Sequence, residues 1–200
     1  MIKLCIFDMG GVLVKNFDVS QPVLAYLGHP GKDLFHLSPV VEKAITDHSC
    51  GFISEPEFWK LFEEDTGYTV PNNSSSLFNK FFNPVVDADT LAIIRELKKH
   101  SVRVVCGTNV IDAHYEKLIK SGDYSVFDKV YASHLMGLAK PDPAFYKAIL
   151  KEENCSAEEA FFTDDMQSNI ESAKGLGINS HHFVNAEDLR ACLIRLGILN

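Results

Sequence analysis

The chain lacks a basic excess. Its 27 Asp and Glu outweigh 19 Lys and Arg, for a formal net charge of −8 over 200 residues. Without a basic stripe to meet phosphate backbones, neither nucleic acid nor an anionic membrane surface is an expected partner. A small anionic ligand can still bind where a local cation or metal offsets the overall charge. No apolar run reaches the roughly 18 residues that a membrane-spanning helix requires. The five cysteines (Cys5, Cys50, Cys106, Cys155 and Cys192) are odd in number, scattered, and form no CxxC pair. Cys5 and Cys106 fall inside apolar runs and read as core thiols of a reducing compartment. The sequence enters a strand-like run almost at once, with no signal peptide ahead of it, so a cytoplasmic protein is the expectation. No internal repeat and no low-complexity tract is present.

What is there is an ordinary globular composition, 46% hydrophobic and 23% charged, long enough for one full core and a small extra domain. Its organising stretch is IKLCIFDMGGVLV at 2–14. A short apolar run bounded by glycines reads as a buried parallel strand. Asp8 stands at its carboxyl end, where open α/β sheets bind ligands. A carboxylate is costly to bury there unless it meets a cation or does chemistry; the other reading is a simple turn cap.

From 15 to about 84 the spacing predicts short helices, such as Pro39–Asp47 and Glu55–Glu64. They are separated by turn clusters at 28–31, 49–51 and 71–76, with no strand alternation. Phe52, Phe58, Trp59, Leu61 and Phe62 form an aromatic-rich packing face. From Val85 the pattern alternates. Helices are predicted at about 87–100, 111–121, 144–153, 168–176 and 186–196, and strands at 102–106, 129–132, 160–163 and 180–184. Alternation with short connections implies right-handed crossovers and a doubly wound parallel sheet of the α/β class.

Four strand-end or helix-start signals then converge: Asp8; Thr108-Asn109; Lys140; and Asp164-Asp165. A doubly wound sheet gathers the carboxyl ends of its strands at one edge. Three carboxylates repel one another unless a hard divalent cation sits among them, and oxygen ligands of this kind suit Mg²⁺. A hydroxyl and an ammonium beside them complete a phosphate cradle. Read singly, each has a plainer role: Thr108-Asn109 as a helix cap, Lys140 as a solvated loop lysine, Asp164-Asp165 as helix N-terminal acids. Of the eight histidines, His181 and His182 share a predicted strand, one facing in and one out. His114 is the one nearest the site motifs.

The quartet LCIFDMGGVL at 4–13, VVCGTN at 104–109, GLAKPDPAFY at 137–146 and FFTDDMQSNIESAKGLGI at 161–178 resembles the haloacid dehalogenase superfamily, in its branch with a helical cap after the first strand. The resemblance implies a Rossmann-like core over 1–15 and 85–200 with strand order 3-2-1-4-5, and a small all-helical cap over 16–84. It implies Asp8 as nucleophile; Asp8, the Gly10 carbonyl and Asp165, with Asp164 beside them, as Mg²⁺ ligands; and Thr108 and Lys140 as phosphoryl-holding catalytic groups. Asn109 and Asn169 take supporting roles. Gly11, Asn109 and Asp18, together with Phe17, are candidates for substrate contact.

One position departs from the pattern. Most phosphatases of this family carry a second aspartate two residues after the nucleophile, which protonates the leaving group. Here that residue is Gly10. Glycine still supplies a carbonyl to a metal, but no acid, so an aspartate restored there is expected to help poor leaving groups more than good ones. The expected activity is hydrolysis of a small phosphorylated metabolite with a good leaving group, such as an anomeric sugar phosphate, through an aspartyl-phosphate. Two alternatives stay open: a haloacid dehalogenase, which needs neither acid nor metal, and a protein that only binds or senses phosphate.

Overall fold

The computed structural model describes residues 1–31, 33–71 and 75–200. In chain order its elements are β1 (Leu4–Phe7), β2 (Val14–Lys15), α1 (Ser20–Tyr26), α2 (Pro39–Ser49), α3 (Glu55–Thr66), α4 (Leu77–Phe81), β3 (Val85–Val86), α5 (Ala88–Lys99), β4 (Arg103–Thr108), α6 (Asp112–Ser121), β5 (Lys129–Ala132), α7 (Ser133–Met136), α8 (Pro143–Glu152), β6 (Ala160–Asp164), α9 (Gln167–Gly175), β7 (Asn179–His182) and α10 (Ala186–Arg195). Five of the strands make one parallel sheet in the order β5-β4-β1-β6-β7. Counted along the sheet strands alone, that is the 3-2-1-4-5 order expected.

The period-two alternation of β1 divides the core. Leu4 and Ile6 face one side with Val105 and Phe162, covered by Phe145, Tyr146 and Ile149 of α8 and Ile170 of α9. Cys5 and Phe7 face the other with Val104, Cys106 and Phe161, covered by Ile93, Ile94 and Leu97 of α5 and Leu189 and Leu193 of α10. Each such side chain, taken fully out of water, contributes about 1.5–3 kcal/mol, so both faces hold the central strand in place. Cys5 and Cys106 are free, buried thiols, as expected.

Register positions the site. Phe7 lies opposite both Cys106 and Thr163, which sets Asp8 level with Gly107 and Asp164. The Asp8 N–H donates to the Thr163 carbonyl at 3.0 Å, so the backbone of the first site residue is still tied to the sheet.

Between β2 and β3 the chain is helical, as the spacing predicts. Ser38 caps α2, and a Ser54–Glu57 capping box starts α3. Phe58 and Trp59 are buried against Phe78, and Phe62 against Trp59, with Phe58 and Trp59 edge to face at 4.7 Å; Phe52 instead is exposed. Of the turn expected at 71–76, residues 72–74 lie outside the described residues. The segment also starts and ends in strand, which the sequence reading did not anticipate. Val14 and Lys15 pair antiparallel with Val86 and Val85, and an ion pair from Lys15 to Asp87 closes the join. Two residues per strand are too few to show an alternation.

Candidate active site at the carboxyl ends of the strands

Asp8 follows β1, Thr108 ends β4, Asp164 ends β6 with Asp165 next to it, and Lys140 lies in the loop before α8. The structure brings these together. The Lys140 ammonium stands 2.8 Å from Asp8 Oδ1 and 2.6 Å from Asp164 Oδ2, and its side chain is 1% exposed. It is a buried cation shared by two carboxylates, not a solvated loop lysine. Each Asp of the trio Asp8, Asp164 and Asp165 offers an oxygen within 4.8 Å of the others, the one metal-competent cluster among the described residues.

The two neighbouring aspartates differ in what they have left to offer. Asp164 Oδ2 takes the Lys140 proton donor, while Oδ1 accepts from the Met166 N–H at 2.8 Å and from Asn169 Nδ2 at 2.9 Å. Its lone pairs are largely committed, so it fixes geometry. The Asp165 side chain is less engaged. A Cβ on Gly11, whose φ is +74°, would run into the Asp165 carboxylate. Only glycine lets the chain pass there, which gives Gly11 a steric role against Asp165.

Burial pushes the Asp8 carboxyl up to about 7, with Lys140 opposing the rise and Asp164 adding to it. Burial also raises Asp165, again with Asp164 pushing the same way. Desolvation works to lower Lys140, but Asp8 and Asp164 outweigh it and the net shift is upward. With all three carboxylates ionised, one ammonium leaves two negative charges in excess, a repulsion that adds to burial in raising Asp8 and Asp165. A dication neutralises that excess, and an all-oxygen donor set suits a hard ion such as Mg²⁺.

Thr108 is buried, and its hydroxyl makes one long contact, 3.5 Å to the Asn109 carbonyl. It caps no helix: the residue before α6 is Ile111. Asn109 is a clamp on the lysine loop, its Oδ1 accepting from the Lys140 N–H at 2.9 Å and its Nδ2 donating to the Lys140 carbonyl at 2.8 Å. Asn109 therefore supports Lys140 from behind. Asp18 has one oxygen engaged by the Ser20 N–H at 2.8 Å, at the start of α1. His181 is buried and His182 exposed, as the strand pattern predicts. His114 does not join the acidic trio. It stacks on Phe82 at 3.8 Å against the helical segment, with Nε2 buried and unpartnered.

Two features escaped the sequence reading. Ser133, buried at the end of β5, accepts the Val110 N–H at 2.9 Å and donates to the Ser49 carbonyl, joining the site loop to the α2–α3 turn. A serine where a strand meets a short helix carries no signal of its own. The second is the room at residue 10. A Cβ there would sit 2.9 Å from the Phe17 ring, so an aspartate placed at that position meets an aromatic wall rather than free space.

Comparison with known proteins bears on this arrangement. The haloacid dehalogenase-like hydrolase family matches residues 5–183. A sesquiterpene phosphatase of Aspergillus oryzae is 28% identical, over 96% of this chain and 93% of its own. The D-ribitol-5-phosphate phosphatase of Bacteroides thetaiotaomicron is also 28% identical, over 95% of this chain and 96% of its own. Among solved structures, a HAD family enzyme from the same bacterium, in complex with magnesium and inorganic phosphate, superposes with a TM-score of 0.67 at 25% identity, covering 90% of this chain and 93% of that one.

Proposed function

The chain belongs to the haloacid dehalogenase-like hydrolases, and from that membership we propose that it is a Mg²⁺-dependent phosphomonoester hydrolase acting on a small phosphorylated metabolite. The observation that carries the reading is the buried Lys140 ammonium between Asp8 and Asp164, with Asp165 alongside. Retaining that many buried charges is costly unless they are used. The phosphatases that the chain resembles support a phosphomonoester as substrate. A dehalogenase reading leaves the Asp164-Asp165 pair without a task.

In this proposal Asp8 attacks phosphorus in line and becomes an aspartyl-phosphate, which water then hydrolyses. Lys140 holds Asp8 as a carboxylate and neutralises a phosphoryl oxygen, and the Thr108 hydroxyl donates to another. Asn109 fixes the lysine loop at both ends of one residue, and Asn169 and the Met166 N–H fix Asp164. Asp8, the Gly10 carbonyl and Asp165 would hold Mg²⁺, which when bound supplies charge neutralisation for the phosphoryl group. The helical segment 16–84 would act as a cap that excludes water and reads the leaving group.

Phosphate release from a panel of phosphorylated metabolites and p-nitrophenyl phosphate, with Mg²⁺ and with EDTA, tests this. Metal-dependent release is the expected result. No release in the presence of Mg²⁺, with Mg²⁺ still raising the melting temperature, would favour a phosphate-binding protein instead.

A further inference from the structure

We infer that Phe17 is the leaving-group platform of this site, and that its ester carries an apolar or aromatic group beside an oxygen able to depart as an anion. The inference rests on the phosphatase reading above. A Cβ built on Gly10 would lie 2.9, 3.1 and 3.2 Å from Cδ2, Cε2 and Cγ of Phe17. The ring therefore fills the volume into which a side chain at residue 10 would grow. Phe17 is nevertheless not sealed into the core, since it is 38% exposed. One edge of the ring occupies the side-chain space of residue 10, while the residue as a whole keeps contact with solvent. The neighbouring acid, Asp18, has an oxygen taken by the Ser20 N–H, at the first residue of α1.

In the first step the bond from Asp8 oxygen to phosphorus forms and the bond from phosphorus to the leaving oxygen breaks, its electron pair staying on that oxygen. No carboxylic acid stands at residue 10 to meet it. The oxygen leaves as an anion and takes its proton afterwards from solvent water, which selects aryl, enol, anomeric or acyl phosphates. The ring adds a second selection, because an apolar wall favours an apolar flank on the departing group.

The test measures kcat/KM with Mg²⁺ for p-nitrophenyl phosphate, acetyl phosphate and glycerol phosphate. The proteins are the wild type, Phe17→Ala, Phe17→Leu, Gly10→Asp and the Gly10→Asp/Phe17→Ala double variant, each checked for folding by its thermal melt. Phe17→Ala should lower the p-nitrophenyl value about 10- to 100-fold while moving acetyl phosphate by less than about threefold. Phe17→Leu should fall between, and serves if the alanine variant does not fold. Gly10→Asp alone should gain nothing on glycerol phosphate, whereas the double variant, with space for the acid, should gain about 10²-fold. Equal losses on p-nitrophenyl and acetyl phosphate would overturn the platform. So would a Gly10→Asp gain as large as that of the double variant. If the wild type releases phosphate from none of the three, the phosphatase reading itself falls and the platform with it.

Discussion

Two walls of the molecule, the charged sheet side and the ring-packed helical side, are built on opposite plans. On the sheet side the buried charges are held by directional bonds: Asp164 has three donors on its two oxygens, Lys140 has two carboxylates, and Asn109 and Asn169 brace them from behind. On the helical side the contacts are rings. Phe82 stacks on His114, and Phe78 packs against Trp59 and His48, while His48 Nε2, His114 Nε2 and His134 Nδ1 are buried without a partner. A satisfied polar network has one arrangement of low energy, because each displaced group leaves an unpaired partner. Ring contacts are not directional and tolerate a shift. A bonded network suits a place where charge must be held fixed, whereas these rings, themselves mostly buried, serve to keep the helical segment packed.

The harshest way to break the charged wall is at Asp8, the nucleophile of the proposed mechanism. Asp8→Asn keeps the shape and removes the attacking carboxylate, so turnover should fall by at least about 10⁴-fold with an unchanged circular dichroism spectrum. Mg²⁺-dependent release surviving in that variant would sink the covalent route. Lys140→Met is the next test. It leaves Asp8 and Asp164 buried without their cation, and breaking a buried pair in this way typically costs about 3–5 kcal/mol. Urea denaturation should show that loss, and Mg²⁺ should recover part of it by occupying the vacated charge balance. A variant as stable as wild type would mean that the network tolerates loss of its cation and is no more constrained than the ring contacts.

The helical wall answers to pH. Burial holds His114 down to about 4, whereas in the unfolded chain it titrates near its ordinary value of about 6.5. Below the unfolded value the unfolded chain binds a proton that the folded chain refuses. Stability from this group is therefore complete above about 6.5 and is lost as pH falls toward 4, by roughly 3 kcal/mol in full. His134 is lowered by burial too and adds in the same direction. His114→Phe keeps the stack on Phe82 and removes the titration. Its melting temperature should change less than that of wild type between pH 7 and 4.5. Parallel pH profiles for the two proteins would show that the histidine is not held neutral in this seam.

The charged wall was legible in the sequence, and the aromatic seam largely was not. Asp8, Thr108 and Asp164 each end or follow a strand that is itself readable from its apolar run, Lys140 precedes a helix start marked by Pro141-Asp142-Pro143, and parallel register does the rest, setting Phe7 against Cys106 and Thr163. Local pattern and global topology agree there. What Gly10 lacked was visible as a missing acid, but not that Phe17 stands in its place; that follows from how the chain turns back over itself. The strand pair at 14–15 and 85–86 joins residues some seventy positions apart through two residues on each side, below what periodicity can register. His114 drew notice for its closeness in sequence to Thr108, yet its ring turns to Phe82 on the other side of the helix pattern. Ser133 illustrates the same limit, since its partners come from the α2–α3 turn and from the loop after β4.

Ser133 is one place where the two walls touch, and it gives the finest test of their difference. Its hydroxyl holds the Val110 N–H on one side and the Ser49 carbonyl on the other. Next to it Gly51, with φ at +73°, passes so near the His134 carbonyl that a side chain there would collide. The directional style of the sheet side thus reaches into the helical side here, as it does where the Lys117 ammonium donates to the Phe82 carbonyl. Ser133→Ala removes the hydroxyl without changing the fold of the strand and leaves a buried donor and a buried acceptor unpaired, at a cost of about 1–3 kcal/mol. The melting temperature should drop accordingly, and hydrogen exchange at the Val110 amide should accelerate while amides inside β1 keep their protection. If β1 loosens together with Val110, the two walls are a single cooperative unit; if neither changes, the hydroxyl contributes nothing to holding the helical segment on the sheet.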